Sequence, residues 1–212
     1  MPGEEKKVPY HLGIIMDGNR RWAKAKGLPA LEGHRQGYKT FKLVGKWCKE
    51  KGIKILSIYA FSTENWKRTE EEVGYLLRLL AEALSKKEVA ELHKEGIKLN
   101  LIGQRERLSE NLQKMVKAAE ELPKNNKEGI LNLCVSYGGR LEIVEAIKKI
   151  ISKKIPSEEI SEQTVKENLW TGGQPDPDLI IRTSGEQRLS GFLTWQTAYS
   201  ELYFTKVLWP DF

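Results

Sequence analysis

The segment His11-Leu-Gly-Ile-Ile-Met-Asp17-Gly-Asn-Arg-Arg21-Trp22 decides the fold class of this chain. Its apolar run, Leu12 to Met16, predicts a buried strand, and the residues after it predict a turn into a helix. A strand end that leads into a helix is where α/β proteins hold phosphates, because unpaired N–H groups and the helix dipole favour anions. Asp17 would repel such a ligand unless a divalent cation lies between them. The segment therefore predicts a metal-bridged phosphate or diphosphate site.

Length, charge and cysteine content narrow the class of protein. The chain has 212 residues and a net charge of +6, which suits one sizeable domain that meets an anionic small molecule, nucleic acid or membrane surface. Cys48 and Cys134 lie far apart in apolar patterns, which predicts buried free thiols and a cytoplasmic location. Residues 1–10 lack the apolar core of a signal peptide, so we expect a flexible N-terminus there. No apolar run approaches the roughly 20 residues of a membrane span.

Hydrophobic periodicity alternates between strand and helix along the chain. Strands are predicted at 12–16, 53–61, 97–102, 130–135 and 179–181, and the aromatic segment 192–209 predicts a helix and a final strand. Helices are predicted at 33–51, 69–96, 109–122, 140–153 and 161–169. Thr69 and Glu72 predict a capping box at the start of the second helix. The pattern predicts a single α/β domain with a mostly parallel sheet of about six strands, flanked by helices.

Four of the predicted strands end in short polar clusters, at residues 17–22, 62–68, 137–140 and 182–190. Because the carboxyl ends of parallel strands share one edge of a sheet, we expect five arginines and three carboxylates to converge there. A charge-assisted hydrogen bond contributes roughly 1.5–3 kcal/mol, and micromolar affinity needs about 8 kcal/mol. Three or four arginines would therefore hold a diphosphate. The glycine motifs of nucleotide sites are absent from the sequence, and its lysines read as helix surface, so no nucleic-acid partner is expected.

Taken together, the clusters resemble the cis-prenyltransferases, the (2Z)-type isoprenyl diphosphate synthases that include undecaprenyl diphosphate synthase. The resemblance extends from His11 to Phe212. It rests on His11–Ala23, Gly33-His34, Tyr59–Arg68, Asn132 with Tyr137–Arg140, Arg182–Ser190, Trp195-Gln196, Glu201–Phe204 and Leu208–Phe212. Each motif alone would be weak, but their number and order in one chain make the resemblance specific.

The resemblance implies a homodimeric, Mg²⁺-dependent transferase with an apolar tunnel. Such enzymes add isopentenyl diphosphate units to an allylic diphosphate, often farnesyl diphosphate, and form cis double bonds. The product would be a polyprenyl diphosphate, such as undecaprenyl diphosphate for glycan carrier lipid synthesis. The enzyme would be cytoplasmic, with peripheral membrane contact through its product.

The resemblance also implies roles for the matching residues. Asp17 would be the essential carboxylate that works with Mg²⁺, Glu201 a second metal ligand, and Asn65 the position of proton removal. An amide is a poor base, so we interpret Asn65 as an orienting group. The allylic diphosphate and the adjoining substrate site are assigned to Gly18, Asn19, Arg20, Arg21, Trp22, His34, Ser62, Thr63, Glu64, Trp66 and Arg68. Isopentenyl diphosphate is assigned to Arg182, Arg188, Leu189 and Ser190.

Other interpretations of the same residues stay open. Asp17 could cap a helix, Glu201 could pair with a surface lysine, and the stripe Leu76–Leu84 fits plain helix packing as well as a tunnel wall. The protein could be a non-catalytic partner subunit of a cis-prenyltransferase pair. It could also be a Mg²⁺-dependent phosphatase with Asp17 as nucleophile, although Asn19 stands where that chemistry usually has a second aspartate.

The sequence departs from the family pattern at four places. Ala30 stands where many members have a diphosphate-binding arginine, and Arg20, where glycine is common, is expected to compensate. Gly191 replaces a usual asparagine. The sequence ends at Phe212, where relatives usually continue with a helix and a basic tail, so we expect a catalytic domain over 11–212 without that tail.

Overall fold

Six parallel strands form the central sheet of the computed structural model, which describes residues 8–212. Their spatial order is β3-β4-β2-β1-β5-β6. The strands are β1 (His11–Ile15), β2 (Ile55–Ser62), β3 (Ile97–Ile102), β4 (Gly129–Tyr137), β5 (Leu179–Arg182) and β6 (Glu201–Phe204). The predicted α/β class and parallel sheet are thus confirmed. Most of the expected flexible segment 1–10 lies outside the described residues.

The helices that flank the sheet are α1 (Asn19–Ala25), α2 (Ala30–Glu50), α3 (Glu70–Ala83), α4 (Lys86–Lys94), α5 (Glu110–Glu121), α6 (Gly139–Ser152) and α7 (Glu162–Asn168). Short 3₁₀ helices occupy Thr63–Lys67, Ser157–Glu159 and Trp209–Asp211. Cys48 and Cys134 are buried free thiols, as the sequence predicts. None of the helices in residues 8–212 is both long and apolar enough to cross a bilayer.

Two predicted helices are wrong. The helix expected over 69–96 is two helices, because the chain turns at Leu84 and Ser85 caps α4 by accepting a hydrogen bond from the Glu88 N–H at 3.4 Å. The helix expected in the aromatic segment 192–209 is a series of turns at residues 191–199. Gly191 and Leu193 have φ of 78° and 44°, and such left-handed residues do not continue a right-handed helix.

The register of the strands brings the polar clusters together. Ile15, the last residue of β1, pairs with Tyr59 of β2 and with Arg182 of β5. The segments that follow these strands therefore start at the same edge of the sheet. Leu12, Ile14 and neighbouring residues are buried in the core, and this packing fixes the position of the strands that end at this edge.

Two glycines let α2 approach α1 closely. A Cβ atom on Gly33 would lie 2.0 Å from the backbone oxygen of Asn19, and one on Gly37 would lie 2.1 Å from the Asn19 side-chain oxygen. Neither distance is compatible with a side chain. The position of α1, and with it the turn after β1, therefore depends on these two glycines.

We predict that Gly33→Ala destabilises the fold, because its methyl group would collide with the backbone oxygen of Asn19. Overpacking of this kind costs about 1–3 kcal/mol. The control is Gly45→Ala on the same helix, where nothing lies within 4 Å of the added atom and the helix propensity of alanine is more favourable by about 1 kcal/mol. Urea unfolding of both variants gives the comparison. Equal stability of the two variants would contradict the packing argument.

Candidate active site

A cavity of about 910 Å³ opens at the carboxyl edge of the sheet and runs between α2, α3 and the strands. One end is polar and is lined by Asp17, Gly18, Asn19, Arg20, Arg21, His34, Ser62, Asn65, Arg68, Arg182 and Ser190. The other end is apolar and is lined by Phe41, Ile58, Leu76, Leu79, Leu80, Ala83 and Leu133. The cavity therefore fits a molecule with an anionic head and a long apolar body.

Asp17 lies at the polar end and is held by two arginines. Its Oδ2 accepts a hydrogen bond from Arg182 Nη2 at 2.8 Å, and its Oδ1 lies 3.6 Å from Arg21 Nη2. Partial burial disfavours the carboxylate, but Arg182, Ser184 and Arg21 outweigh this effect and place the pKa of Asp17 below its ordinary value. The Asp17 carboxylate is thus ionised at neutral pH and can bind a cation.

The backbone around Asp17 is fixed from three sides. Its N–H donates to Thr183 Oγ1 at 3.0 Å, and its carbonyl oxygen accepts from the N–H of Trp209 at 3.0 Å. Gly18 follows in the left-handed region with φ of 109°, and a Cβ atom there would lie 2.9 Å from the Leu208 side chain. Asp17 precedes the Gly18 N-cap of α1, so the helix-cap interpretation of Asp17 is wrong.

A buried carboxylate that the sequence analysis considered only as part of a helix cap, Glu72, organises a second group of basic residues. Glu72 Oε1 lies 3.0 Å from His34 Nε2, 2.7 Å from Arg68 Nη1 and 4.0 Å from Arg20 Nε. The predicted capping box is therefore only half right: Thr69 Oγ1 accepts from the Glu72 N–H, but the Glu72 side chain turns to His34 and Arg68. Its pKa lies below the ordinary value, because the bonds from His34 and Arg68 outweigh its burial.

Asn65 lies on the 3₁₀ helix after β2 and faces the cavity. Its side-chain oxygen accepts a hydrogen bond from the Ser62 N–H at 2.9 Å and so caps that helix. Since Asn65 lines the cavity, its amide NH₂ group is the part of the side chain that remains to donate a hydrogen bond there. This arrangement agrees with an orienting role, because the oxygen is already engaged and the nitrogen is not basic.

Arg182 joins the two halves of the polar end. Its side chain is 5% exposed, and besides Asp17 it donates to Ser190 Oγ at 2.8 Å and to the Arg188 carbonyl oxygen. Its Nε is buried without a hydrogen-bond partner in residues 8–212. The Arg188 side chain is exposed and pairs with Glu186, and Leu189 packs against buried residues beside β1 and β5.

Seven of the expected site residues do not line the cavity, namely Arg188, Leu189, Glu201, Trp22, Thr63, Glu64 and Trp66. The Trp22 Nε1–H donates to Asp211 Oδ1 at 2.6 Å, and Trp66 Nε1–H donates to Ser136 Oγ at 2.9 Å while its ring packs on Phe61. Thr63 lies against Gly138, and Glu64 is exposed. These residues support the surrounding turns of this chain rather than the cavity wall.

Glu201 is not brought to Asp17 within one chain. It is exposed and pairs with Leu179 at the amino end of β5, whereas Arg182, which holds Asp17, is three residues further along that strand. At 3.3 Å per residue this is roughly 10 Å along the sheet, and β5 lies between the two strands concerned. A metal role for Glu201 stays a prediction.

Two departures from the family pattern have structural counterparts. Gly191 has φ of 78°, a conformation that glycine adopts freely and asparagine tolerates better than most residues, so either residue fits. Ala30 lines the cavity at the start of α2, and Arg20 lines the same polar end. Both residues line the same cavity, so Arg20 is able to reach a ligand there, and its compensation for the missing arginine at position 30 stays a prediction.

Comparison with known proteins identifies the relatives of this chain. The undecaprenyl diphosphate synthase family model of prenyltransferases matches residues 15–212. An isoprenyl transferase of Clostridium perfringens is 50% identical over 98% of this chain and 83% of its own length. The ditrans,polycis-undecaprenyl-diphosphate synthase of Legionella pneumophila, named as specific for (2E,6E)-farnesyl diphosphate, is 50% identical over 97% of this chain and 88% of its own.

A solved structure has the same fold. Lavandulyl diphosphate synthase from Lavandula x intermedia, crystallised with dimethylallyl diphosphate, superposes with a TM-score of 0.92 at 41% identity. The match covers 96% of this chain and 89% of that one.

We predict that Glu72→Gln lowers the pKa of His34 further. Burial already holds the pKa of His34 below its ordinary value, and the Glu72 carboxylate is the main group that raises it. NMR titration of the His34 ring, assigned with a His34→Gln variant, measures the change, and Glu71→Gln on the exposed side of α3 is the control. A rise in the His34 pKa on loss of the Glu72 charge would contradict this electrostatic account.

Proposed function

The chain belongs to the undecaprenyl diphosphate synthase family of prenyltransferases, and we propose that it joins isopentenyl diphosphate units to farnesyl diphosphate to make a cis-polyprenyl diphosphate. The observation that carries the proposal is the shape and polarity of the cavity. An ionised aspartate and four arginines lie at one end, and the leucines of α3 line the other. A prenyl diphosphate has the same division between head and chain.

The allylic diphosphate would lie against Asn19, Arg20, Arg21 and the amides that follow β1. Two arginines at this end are already oriented by carboxylates, namely Arg21 by Asp17 and Arg68 by Glu72. Fixed cations of this kind stabilise a leaving diphosphate without reorganisation during the reaction. The prenyl chain would then extend toward Leu76, Leu80 and Leu133.

The donor set suits Mg²⁺. Residues 8–212 contain no group of three or more His, Cys, Asp or Glu side chains that would enclose a metal by themselves, and Asp17 offers one ionised carboxylate beside the phosphate-binding arginines. Mg²⁺ is commonly bound by one or two carboxylates together with substrate phosphates. When bound, it would neutralise charge on the departing diphosphate.

Isopentenyl diphosphate would bind beside Arg182, Arg188 and Ser190. Arg182 lies between Asp17 and Ser190, so a diphosphate there would be close to the allylic one. Asn65 would orient the bound diphosphate through its free amide hydrogens. An oxygen of the diphosphate would accept the proton lost from C2 of the isopentenyl unit, whose C–H electrons form the new double bond.

The assay that tests the proposal contains farnesyl diphosphate, labelled isopentenyl diphosphate and Mg²⁺. We predict labelled prenyl product from the wild type and a loss of about 10²–10³-fold in kcat for Asp17→Asn, since removal of one electrostatic stabiliser costs about this much. Asn65→Asp should also lower the rate and change the pH profile, because a carboxylate would replace the donor. Glu110→Gln on α5 is the control.

Each failure of this assay has a distinct meaning. A folded wild type without labelled product overturns the proposal. Release of inorganic phosphate from a generic ester would favour a phosphatase that uses Asp17. Activity only after a second prenyltransferase chain is added would favour a non-catalytic partner subunit. An unchanged rate and pH profile for Asn65→Asp would remove the orienting role.

A second cavity, which is mostly apolar but also has charged residues such as Lys49 and Glu91 in its lining, supports a long product. It measures about 150 Å³ and is lined in part by Leu56, Leu92 and Leu99. The two cavities share Tyr38, Phe41, Ala83 and Leu133 as lining residues. An apolar cavity of roughly 150 Å³ accepts benzene, so it has room for about one five-carbon unit. We infer that the growing chain passes these four residues late in elongation.

Ala83→Leu should therefore shorten the products, because three added carbons would narrow the passage between the cavities. Ala90→Leu, on the exposed face of α4, is the matched control. Product lengths are measured by chromatography of the dephosphorylated prenyl alcohols. The same product distribution in Ala83→Leu and wild type would show that the chain does not pass this point.

The homodimer and the membrane contact also belong to the proposal. Val144, Ile147 and Ile151 form an exposed apolar stripe on α6 at 46%, 47% and 70% exposure, which supports a face for a second copy. A monomer mass in sedimentation velocity would argue against it.

A polyprenyl product is apolar, so release at the cytoplasmic membrane surface follows from the chemistry. Failure of product-loaded protein to co-sediment with vesicles would count against this contact.

A further inference from the structure

Glu142 is a buried carboxylate outside the cavity, and the proposed chemistry does not use it. It lies in the first turn of α6 and is 1% exposed. Its Oε2 accepts hydrogen bonds from Tyr137 Oη at 2.5 Å and from Gln196 Nε2 at 3.1 Å, and its Oε1 accepts from the Trp170 N–H at 3.0 Å. Burial raises the pKa of Glu142, while these donors favour the ionised form. A carboxylate with this many converging donors connects the elements that supply them.

One of these elements is the segment 188–197. Gln196 connects this segment to Glu142, because its amide nitrogen donates to both Glu142 Oε2 and Thr171 Oγ1, at 3.1 and 3.0 Å. Gly139, three residues before Glu142, donates its N–H to the Gly191 carbonyl oxygen at 2.8 Å. The start of α6 thus holds segment 188–197 at two points.

A group of aromatic rings extends the same connection. The Tyr137 ring, whose hydroxyl binds Glu142, meets Tyr59 edge to face at a centroid distance of 5.8 Å. Tyr59 stacks on Phe192 at 4.9 Å, and the Tyr59 hydroxyl lies 3.4 Å from the Ser190 carbonyl oxygen. Phe192 and Tyr137 are fully buried, so neither ring can move aside into solvent.

The other end of the segment reaches the polar end of the cavity. The Ser190 hydroxyl and the Arg188 carbonyl oxygen both accept from Arg182, which holds Asp17. Ser190 and Leu193 have φ of 49° and 44°. Residues other than glycine rarely adopt this backbone conformation unless the surrounding contacts require it. The segment therefore depends on its anchors for its shape.

We propose that Glu142 is a positioning residue that fixes segment 188–197 through Gln196 and Tyr137, and thereby sets the isopentenyl diphosphate half of the site. The mechanical part stands on the contacts alone. The substrate part rests on the proposed function.

The mechanical part is tested by hydrogen exchange of the ligand-free protein. Gln196→Met keeps the approximate volume of the side chain and removes the donor to Glu142. The amides of residues 189–197 should exchange faster in this variant and in Glu142→Gln, while β1 and β2 keep their protection. Asn168→Ala is the control, since it removes a buried amide between α6 and α7 that bonds to Lys153 and Thr164 and not to the segment. Unchanged exchange at 189–197, or equal loss of protection everywhere, overturns the proposal.

The consequence for substrate is tested by steady-state kinetics. In Gln196→Met the KM for isopentenyl diphosphate should rise by roughly tenfold, the effect of about one lost hydrogen bond on positioning. The kcat and the KM for farnesyl diphosphate should stay within about twofold. The same selective rise in Asn168→Ala, or no rise in Gln196→Met, overturns the substrate part.

The two proposals fail in different ways. A wild type that transfers no prenyl group, with faster exchange at 189–197 in the variants, removes the proposed function and supports the mechanical role of Glu142. A wild type that is active, with neither faster exchange nor a raised KM in the variants, keeps the proposed function and removes the role of Glu142.

Discussion

The ion pair between Arg182 and Asp17 is the interaction on which the polar end of the cavity depends. It joins the turn after β1 to the last residue of the neighbouring parallel strand β5, at an N–O distance of 2.8 Å. The arginine side chain is 5% exposed, so loss of the carboxylate would leave a buried and uncompensated charge, which is strongly destabilising. The same guanidinium also holds Ser190 and the Arg188 carbonyl oxygen, and three separate segments are fixed around one group.

The polar end of the cavity suits an anion because its arginines are already paired with carboxylates of the protein. Arg20, Arg21, Arg68 and Arg182 outnumber the two carboxylates, Asp17 and Glu72, that orient them. The entropy of ordering long side chains is therefore spent when the protein folds rather than when the ligand binds. The leucines of α3 continue the wall beyond these charges, so one cavity combines a fixed ionic end with a chain-sized apolar end.

Close backbone packing is the second constraint. Gly33 and Gly37 admit α1 against α2, and Gly18 allows the turn that carries Asp17 into α1. Trp209, from the end of the chain, is fully buried, donates its ring N–H to the Gly37 carbonyl oxygen at 2.8 Å and its backbone N–H to Asp17. The turn that carries Asp17 is thus held by a residue nearly two hundred positions away in sequence.

The sequence by itself determined the fold class, the strands and the cluster of Asp17, Arg20, Arg21, Arg68 and Arg182, because apolar period and strand-end position are local properties that a parallel sheet turns into proximity. Only the tertiary structure decided what each side chain contacts. Glu72 has the spacing of a helix cap and instead serves His34 and Arg68, while Trp66 lies in a polar motif and packs against Phe61. Glu201 stands in a matching motif and lies at the amino end of β6. Such outcomes depend on which partners the fold brings within a few ångströms, and spacing along the chain does not contain that information.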